Sequence, residues 1–324
     1  MDNIKWGIIG CGDVTEVKSG PAFNKVKGSS LQAVMRRNRA KAADYAQRHQ
    51  VPAWYGDAAA LLDDPGINAI YIATPPASHL GYALEALKRK LPVYVEKPVT
   101  LHAGQARQLA DAVQQSQGKV TVAHYRRALP MFIYVRELLS QKTIGEIRTV
   151  QIRMWQSRKV PLVADVDTNW RLQPELSGGG YFHDLAPHQL DLMLFYFGQP
   201  VRYQGFSLNQ SGASPADDHV CGQILFENQV VVNGSWCFGV AETETTDTCE
   251  IIGTRGRISF PFFGHQVHWR NETQEQTRTF QHPPHIQQPY IEQVVAYFQD
   301  QGPNPCTMEE AVTLMQIMDA FTQS

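Results

Sequence analysis

The first 123 residues alternate between short apolar runs and helix-patterned stretches. This alternation constrains the fold more than any other feature of the 324-residue chain. Ile4 to Ile9, Leu31 to Met35, Ala69 to Ala73, Pro92 to Val95 and Val120 to Ala123 read as strands. Ala40 to His49, Ser78 to Lys90 and Ala103 to Ser116 read as helices between them, with Thr100 placed to N-cap the last. Strands separated by helices in this way form βαβ units and a parallel sheet covered on both faces.

The texture changes after about residue 124. Ile147 to Gln156 looks extended, and Val220 to Phe226 and Val230 to Phe238 flank a turn at Glu227-Asn228-Gln229. Glu250 to Gly253 and Arg257 to Phe260 continue the hairpin style, and one strong helix, about Leu185 to Phe197, interrupts it. Residues 272–288 are polar and read as loop. Thr307-Met308-Glu309-Glu310 fits a capping box ahead of a final helix, with Met308, Ala311, Val312, Met315 and Met318 on one face. The expected fold class is α/β followed by α+β. Residues 1–123 form a domain on a parallel sheet. Residues 124–324 form one on a large, mostly antiparallel, open-faced sheet. The last helix, about 307–322, is a candidate to pack back on the first domain.

Composition narrows the function. Hydrophobic residues make up 43% and charged residues 19%, enough for a sizeable core. Lys plus Arg is 29 against 31 Asp plus Glu, so the broad basic field of a nucleic-acid binder is absent. No apolar run approaches the roughly 20 residues that span a bilayer, and the start at Met1-Asp2-Asn3-Ile4 runs into a strand pattern with no export signal. Five scattered cysteines, odd in number and without C-x-x-C spacing, fit a reducing cytoplasm and small buried hydrophobes. The expected partner is a small molecule, with no nucleic acid and no membrane.

Gly7-Ile8-Ile9-Gly10-Cys11-Gly12-Asp13-Val14-Thr15 closes the first strand pattern. Gly10 permits a tight turn, Gly12 lets backbone approach a pyrophosphate, and the following helix, from Asp13 and Val14, offers free N–H groups. Thr15 stands where a third glycine or alanine would complete the dinucleotide fingerprint; the competing reading is a plain tight turn. The second strand ends in Val34-Met35-Arg36-Arg37-Asn38, without the acid that binds the ribose of NAD. A guanidinium suits a 2′-phosphate, so Arg36 and Arg37 favour NADP(H) over NAD(H), unless they are only solvated surface charges.

Glu96-Lys97-Pro98 sits at the end of what reads as the fourth strand, where side chains face a ligand crevice. Lys97 there can bond a substrate hydroxyl, or be an ordinary exposed lysine. The second chemical segment is Gly178-Gly179-Gly180-Tyr181-Phe182-His183-Asp184-Leu185-Ala186-Pro187-His188-Gln189-Leu190-Asp191. Asp184 and His188 are four apart and share a helix face, so Asp184 can orient His188 as a proton carrier. Alternatively Asp184 is an N-cap with Pro187 in the first turn. Asp191 reads as facing a partner side chain or solvent. His183 and His188 are five apart and do not share a face, so no metal site is expected.

In order and spacing these motifs resemble the Gfo/Idh/MocA oxidoreductase family, named for glucose–fructose oxidoreductase and inositol dehydrogenase. Further landmarks are Ala73-Thr74-Pro75-Pro76 with His79, Tyr125-Arg126-Arg127, Ile144-Gly145-Glu146-Ile147 and Asn169-Trp170-Arg171. The resemblance implies a Rossmann domain followed by the sheet domain, with the nicotinamide over the crevice between them. It places Thr74 and Pro75 on the cofactor's adenosine and diphosphate side and counts His79 among the cofactor-binding residues. Glu96 and Lys97 then lie by the nicotinamide ribose and substrate, with Trp170 and Arg171 directed towards the cofactor. Lys97, Asp184 and His188 match the family's catalytic set. Tyr125, Trp155, Trp170 and Tyr181 are aromatics for a sugar face or for packing, and Arg171 has the competing reading of a structural ion pair.

The expected activity is hydride transfer between a nicotinamide and a sugar, polyol or related hydroxy or carbonyl compound, by a cytoplasmic homodimer or homotetramer. Two alternatives stand beside it: a glycosidase that oxidises its substrate transiently, and a non-catalytic cofactor sensor.

Overall fold

The structure, a computed structural model, describes residues 3–162 and 169–322. It divides into two compact units. One comprises Met1–Tyr125 with Pro283–Met315, the other Arg126–His282 with Gln316–Ser324.

In the first unit the chain runs β1 (Ile4–Ile9), α1 (Asp13–Glu16), β2 (Ser29–Met35), α2 (Arg39–His49), β3 (Ala53–Tyr55), α3 (Ala58–Leu62), β4 (Ala69–Ile72), α4 (His79–Lys88), β5 (Val93–Val95), α5 (Ala103–Ser116) and β6 (Val120–Val122). The strands lie in the order β3-β2-β1-β4-β5-β6 and every pair is parallel. All four residues of β4 are buried, and in β1 only Lys5 is exposed, as a sheet covered on both faces requires. The chain first builds outward from β1 through β2 and β3, then returns to β4 on the other side. The neighbouring strands β1 and β4 therefore form the switch point, at whose carboxyl ends such sheets bind ligands.

Local chemistry sets the boundaries. The Asn38 side chain accepts the Lys41 N–H and starts α2, and Gln50 ends it in the left-handed region. Two sequence readings need correction. β3 is only three residues long, with a half-exposed Trp54, too short for a strand period to show, so Glu96 follows the fifth strand rather than the fourth. Thr100 does not cap α5. Its hydroxyl donates to the His102 carbonyl at 3.0 Å, and His102 takes the N-cap place.

The second unit holds α6 (Pro130–Ser140), β7 (Ile147–Trp155), α7 (Pro174–Ser177), α8 (Gly180–Phe197), β8 (Pro200–Leu208), β9 (His219–Phe226), β10 (Val231–Cys237), β11 (Thr246–Gly253), β12 (Gly256–Phe260), β13 (Gln266–Asn271) and β14 (Glu275–Thr279). These eight strands form one sheet in the order β14-β13-β12-β11-β7-β10-β9-β8. β7 and β10 are parallel and the other neighbours antiparallel. The turn joining β9 to β10 is closed by the Gln229 N–H on the Phe226 carbonyl. Residues 272–288, read as loop, contain β14. Its five residues are all exposed, so it shows no inward–outward alternation, and pairing with β13 alone makes it a strand.

One face of this sheet is the core. Val150, Ile152, Met154, Val220, Ile224 and Trp236 are buried there, and α8 lies on it, with the Trp236 indole N–H donated to the Gln189 side-chain Oε1 and Phe182 edge-on to Trp236 at 5.1 Å. The alternate residues Phe206, Leu208, Leu225 and Ile252 are exposed on the opposite face.

The chain then contributes α9 (Gln288–Phe298) and α10 (Met308–Thr322). Pro283–Met315 clusters with the first unit, whereas the sequence reading draws a single boundary at 123/124. The reason is long-range. The Tyr290 hydroxyl donates to the Val122 carbonyl, Asn304 to the Val120 carbonyl, and the Lys119 ammonium to the terminal carbonyls of α9 at Tyr297 and Phe298. Trp6, Tyr94 and Tyr290 pack with Phe298 in one aromatic cluster. The capping box forms as read: Thr307 N–H on the Glu310 carboxylate and Glu310 N–H on the Thr307 hydroxyl. α10 starts in the first unit and ends in the second, where the Phe321 ring lies against the backbone of Gly222.

A Cβ at Gly222 would stand 2.2 Å from the Phe321 ring. Gly222→Val is expected to lower stability by about 1–3 kcal/mol through overpacking, read by chemical denaturation.

Candidate active site

The first unit gathers its predicted residues at the carboxyl ends of β1, β2, β4 and β5. Gly10 has φ +95, and a Cβ there would stand 2.7 Å from Thr74 Cγ2 and 2.9 Å from the Ala73 backbone, so only glycine lets the β1 and β4 loops meet. At Gly12 a Cβ would meet nothing nearer than a carbonyl at 4.0 Å. The space in front of the turn is open, which suits backbone approach to a phosphate. Thr15 is accommodated as a fully buried residue whose hydroxyl donates to the Gly12 carbonyl at 2.7 Å. The helix expected after this turn is only the four residues of α1, with Asp13 exposed and Val14 half-buried. Charge stabilisation here therefore rests on the turn and side chains rather than on a long helix. Cys11 is buried and its thiol is pushed up to about 11, so it is inert packing.

Arg36 is half-buried and donates from Nη1 to the Cys11 carbonyl at 3.2 Å, while Arg37 is exposed. At β4 the Ser78 hydroxyl donates to Thr74 Oγ1 at 2.7 Å, beside Pro75. His79, read as a cofactor contact, is fully buried. Its ring nitrogens face the carbonyls of Thr74 at 2.7 Å and Pro98 at 3.0 Å. It ties the β4 and β5 loops together and has no nitrogen to spare for a ligand. Burial lowers its pKa, against the two carbonyls that favour the cation. Glu96 is likewise turned inward. It is 6% exposed, and its Oε1 accepts the Tyr71 hydroxyl at 2.6 Å and the Gln287 amide at 2.7 Å. Lys97 is half-buried, and Tyr125 is 7% exposed. Sequence reasoning missed Tyr71 and Gln287; an apolar run hides the first and 190 residues separate the second from its partner.

The second unit carries Asp184, His188 and Asp191 on α8. This helix begins at Gly180, earlier than the apolar pattern suggests, because the Ser177 hydroxyl accepts the N–H groups of Gly179 and Gly180. Asp184 is therefore inside the helix and not its N-cap, and Pro187 is an interior proline. Asp184 Oδ2 accepts Arg171 Nε at 2.8 Å, both side chains being about 15% exposed or less. The Arg171 guanidinium lies 4.6 Å from the Trp170 ring, and Asn169 donates to the Tyr181 hydroxyl at 2.8 Å. The turn at 169–172 is thus bonded to the first turns of α8. His188, one turn beyond Asp184, is 5% exposed and edge-on to Phe263 at 5.8 Å.

The remaining polar residues of the segment are occupied elsewhere. Arg127 grips both oxygens of Asp191 at 2.7 to 3.1 Å, and the pair is almost fully buried. Gly179 has φ +155, which lets His183 fold back and place Nδ1 3.0 Å from the Gly179 carbonyl. Burial pushes the His183 imidazole down to about 4. Trp155 belongs to the sheet face opposite α8, its indole donating to Ser235. Asp184, paired with Arg171 beside Trp170, and His188 lie one turn apart on α8.

Residues 4–124 match the oxidoreductase family with an NAD-binding Rossmann fold, and residues 132–259 match the GFO/IDH/MocA C-terminal domain. A protein described as Oxidoreductase P35 from Formosa agariphila is 47% identical over 318 residues, covering 98% of each chain. The chain belongs to the Gfo/Idh/MocA oxidoreductase family. It is accordingly a nicotinamide-dependent oxidoreductase with the Rossmann and sheet units that family pairs. The fold also matches the crystal structure of an aldose–aldose oxidoreductase from Caulobacter crescentus complexed with glycerol, at a TM-score of 0.85 and 17% identity over 98% of this chain and 96% of that one. A levoglucosan dehydrogenase in complex with NADH and levoglucosan aligns at 0.85 and 20%, with the same coverage. No helix among the described residues of this Gfo/Idh/MocA protein is long and apolar enough to cross a membrane.

The buried His183 makes a pH prediction. Its folded pKa, about 4, lies below the ordinary 6.5, so on acidification the unfolded chain takes the proton first. Its contribution is present above about pH 6.5 and is lost as pH falls towards 4. The stability difference between wild type and His183→Asn should shrink over that window, as measured by urea unfolding at a series of pH values.

Proposed function

We propose that this protein is an NADP(H)-preferring dehydrogenase of a sugar, polyol or related hydroxy or carbonyl compound, with Lys97, His188 and Asp184 as its chemical groups. The observation that carries the reading is the sorting of the α8 side chains. Asp191 and His183 are consumed by Arg127 and the Gly179 carbonyl, whereas Asp184 is held by Arg171 one turn from His188. The glycerol and levoglucosan in the two similar structures support the substrate class.

Gly10, Gly12, Thr74 and Pro75 would hold the diphosphate, Arg36 and Arg37 a 2′-phosphate, and Trp170 with Arg171 the nicotinamide end. When bound, the nicotinamide accepts or supplies the hydride. His188 takes the substrate hydroxyl proton at a ring nitrogen during oxidation and returns it during reduction. The Lys97 ammonium donates a hydrogen bond to the reacting oxygen and steadies its developing negative charge. Asp184, fixed by Arg171, sets the orientation of His188 and offsets its positive form.

His188→Asn is expected to lower kcat by roughly 10²–10⁴-fold with the NADPH dissociation constant unchanged. An absorbance assay on a sugar and polyol panel, with fluorescence titration of NADPH, reads both; wild-type turnover in the variant removes His188 from the role. Arg37→Ala should weaken NADP⁺ binding by about tenfold or more while leaving NAD⁺ unaffected, and wild-type preference for NAD⁺ would refute the arginine argument. The exposed Phe206, Leu208 and Leu225 support a homo-oligomer formed through the open sheet face. Phe206→Asp should then elute as a smaller species in size-exclusion chromatography.

A further inference from the structure

We infer that Gln287 is a positioning residue for Lys97, acting through the Glu96 carboxylate. The inference rests on the proposed role of Lys97 and adds the device that fixes its backbone. Glu96 Oε1 accepts two donors, the Tyr71 hydroxyl at 2.6 Å and Gln287 Nε2 at 2.7 Å. Its other oxygen, Oε2, accepts the backbone N–H of Lys97 at 3.2 Å. One edge of the carboxylate is thus bolted to the core and the other holds the residue proposed to touch the reacting oxygen.

Gln287 is itself fixed at every polar group that enters this network. It is fully buried, and its Oε1 accepts the Tyr94 hydroxyl at 2.8 Å. The amide NH₂ donates to the Glu96 carboxylate and the amide oxygen accepts the Tyr94 hydroxyl, so each end of the amide meets a partner of the complementary kind. Its backbone N–H donates to the Lys18 carbonyl at 3.1 Å, and His285 Nδ1 lies 2.7 Å from the Val17 carbonyl. The segment just ahead of α9 therefore braces both the chain that follows the Gly12 turn and the Glu96-Lys97 turn. A glutamine suits this place because it presents one donor and one acceptor from a single rigid plane. Methionine leaves Glu96 and Tyr94 each short of a partner, and glutamate sets two carboxylates against each other. The tie to Lys18 runs through the backbone and survives either change.

The test uses the full-length protein with Gln287→Met and Gln287→Glu, the second being isosteric and suited to folding where the first fails. Hydrogen exchange read by mass spectrometry needs no substrate: the peptide spanning residues 94–101 should exchange at least about tenfold faster, with the peptides of β1 and β4 unchanged. NADPH affinity by fluorescence titration should stay within about twofold of wild type. In the sugar and polyol assay each variant should lower kcat between about 10- and 100-fold, and add nothing further in a Lys97→Ala background. Unchanged exchange at residues 94–101, or kcat losses that multiply with Lys97→Ala, would overturn the inference while leaving the Lys97 reading intact. Full activity in Lys97→Ala alone would sink that reading instead, and the exchange result would still decide whether Gln287 holds the turn.

Discussion

A parallel sheet buried on both faces leaves only its ends for polar chemistry, and the first unit depends on that constraint. β1, β4 and β5 are apolar almost throughout because helices cover both sides. Each strand can change character only where it leaves the sheet, and because the strands run the same way they all do so at one edge. Gly10, Arg36, Thr74 and Glu96 come from four separate loops and still share that edge. The loops are then locked by short polar ties: Thr74 packed against Gly10, His79 between two carbonyls, and Glu96 under two donors. Such ties fix where backbone and side chains sit before any ligand arrives, so less order has to be created on binding.

The second unit solves a different problem, that of separating structural from chemical ionisable groups on one helix. α8 carries two histidines and two aspartates on a mostly buried surface. A buried charge needs a partner. Asp191 has a two-pronged one in Arg127, and His183 avoids charge altogether by staying neutral against the Gly179 carbonyl. Asp184 accepts Arg171 Nε, and the same guanidinium lies over Trp170. The fixed helix is in turn seated on the sheet through Gln189 and Trp236, so the orientation of these side chains follows from core packing.

The amino-acid sequence by itself determined the alternating strands of the first unit, its glycine turn, the hairpin at Glu227-Asn228-Gln229 and the capping box at Thr307. In each case the signal lies within a few neighbouring residues: period, turn chemistry or a cap four residues long. It also located Lys97, Asp184 and His188 as chemical candidates, because residue type and spacing carry that information. Only the tertiary structure decided the rest. β3 and β14 are strands because a neighbour pairs with them, since their own patterns are too short or too polar. Asp184 lies inside a helix because Ser177 starts α8 early, and Glu96 and His79 face inward because Tyr71, Gln287 and two carbonyls hold them. Pro283–Met315 joins the first unit through bonds to residues more than 160 positions away. Partners that distant leave no periodic trace along the chain, and they are what separates a polar side chain that binds from one that braces.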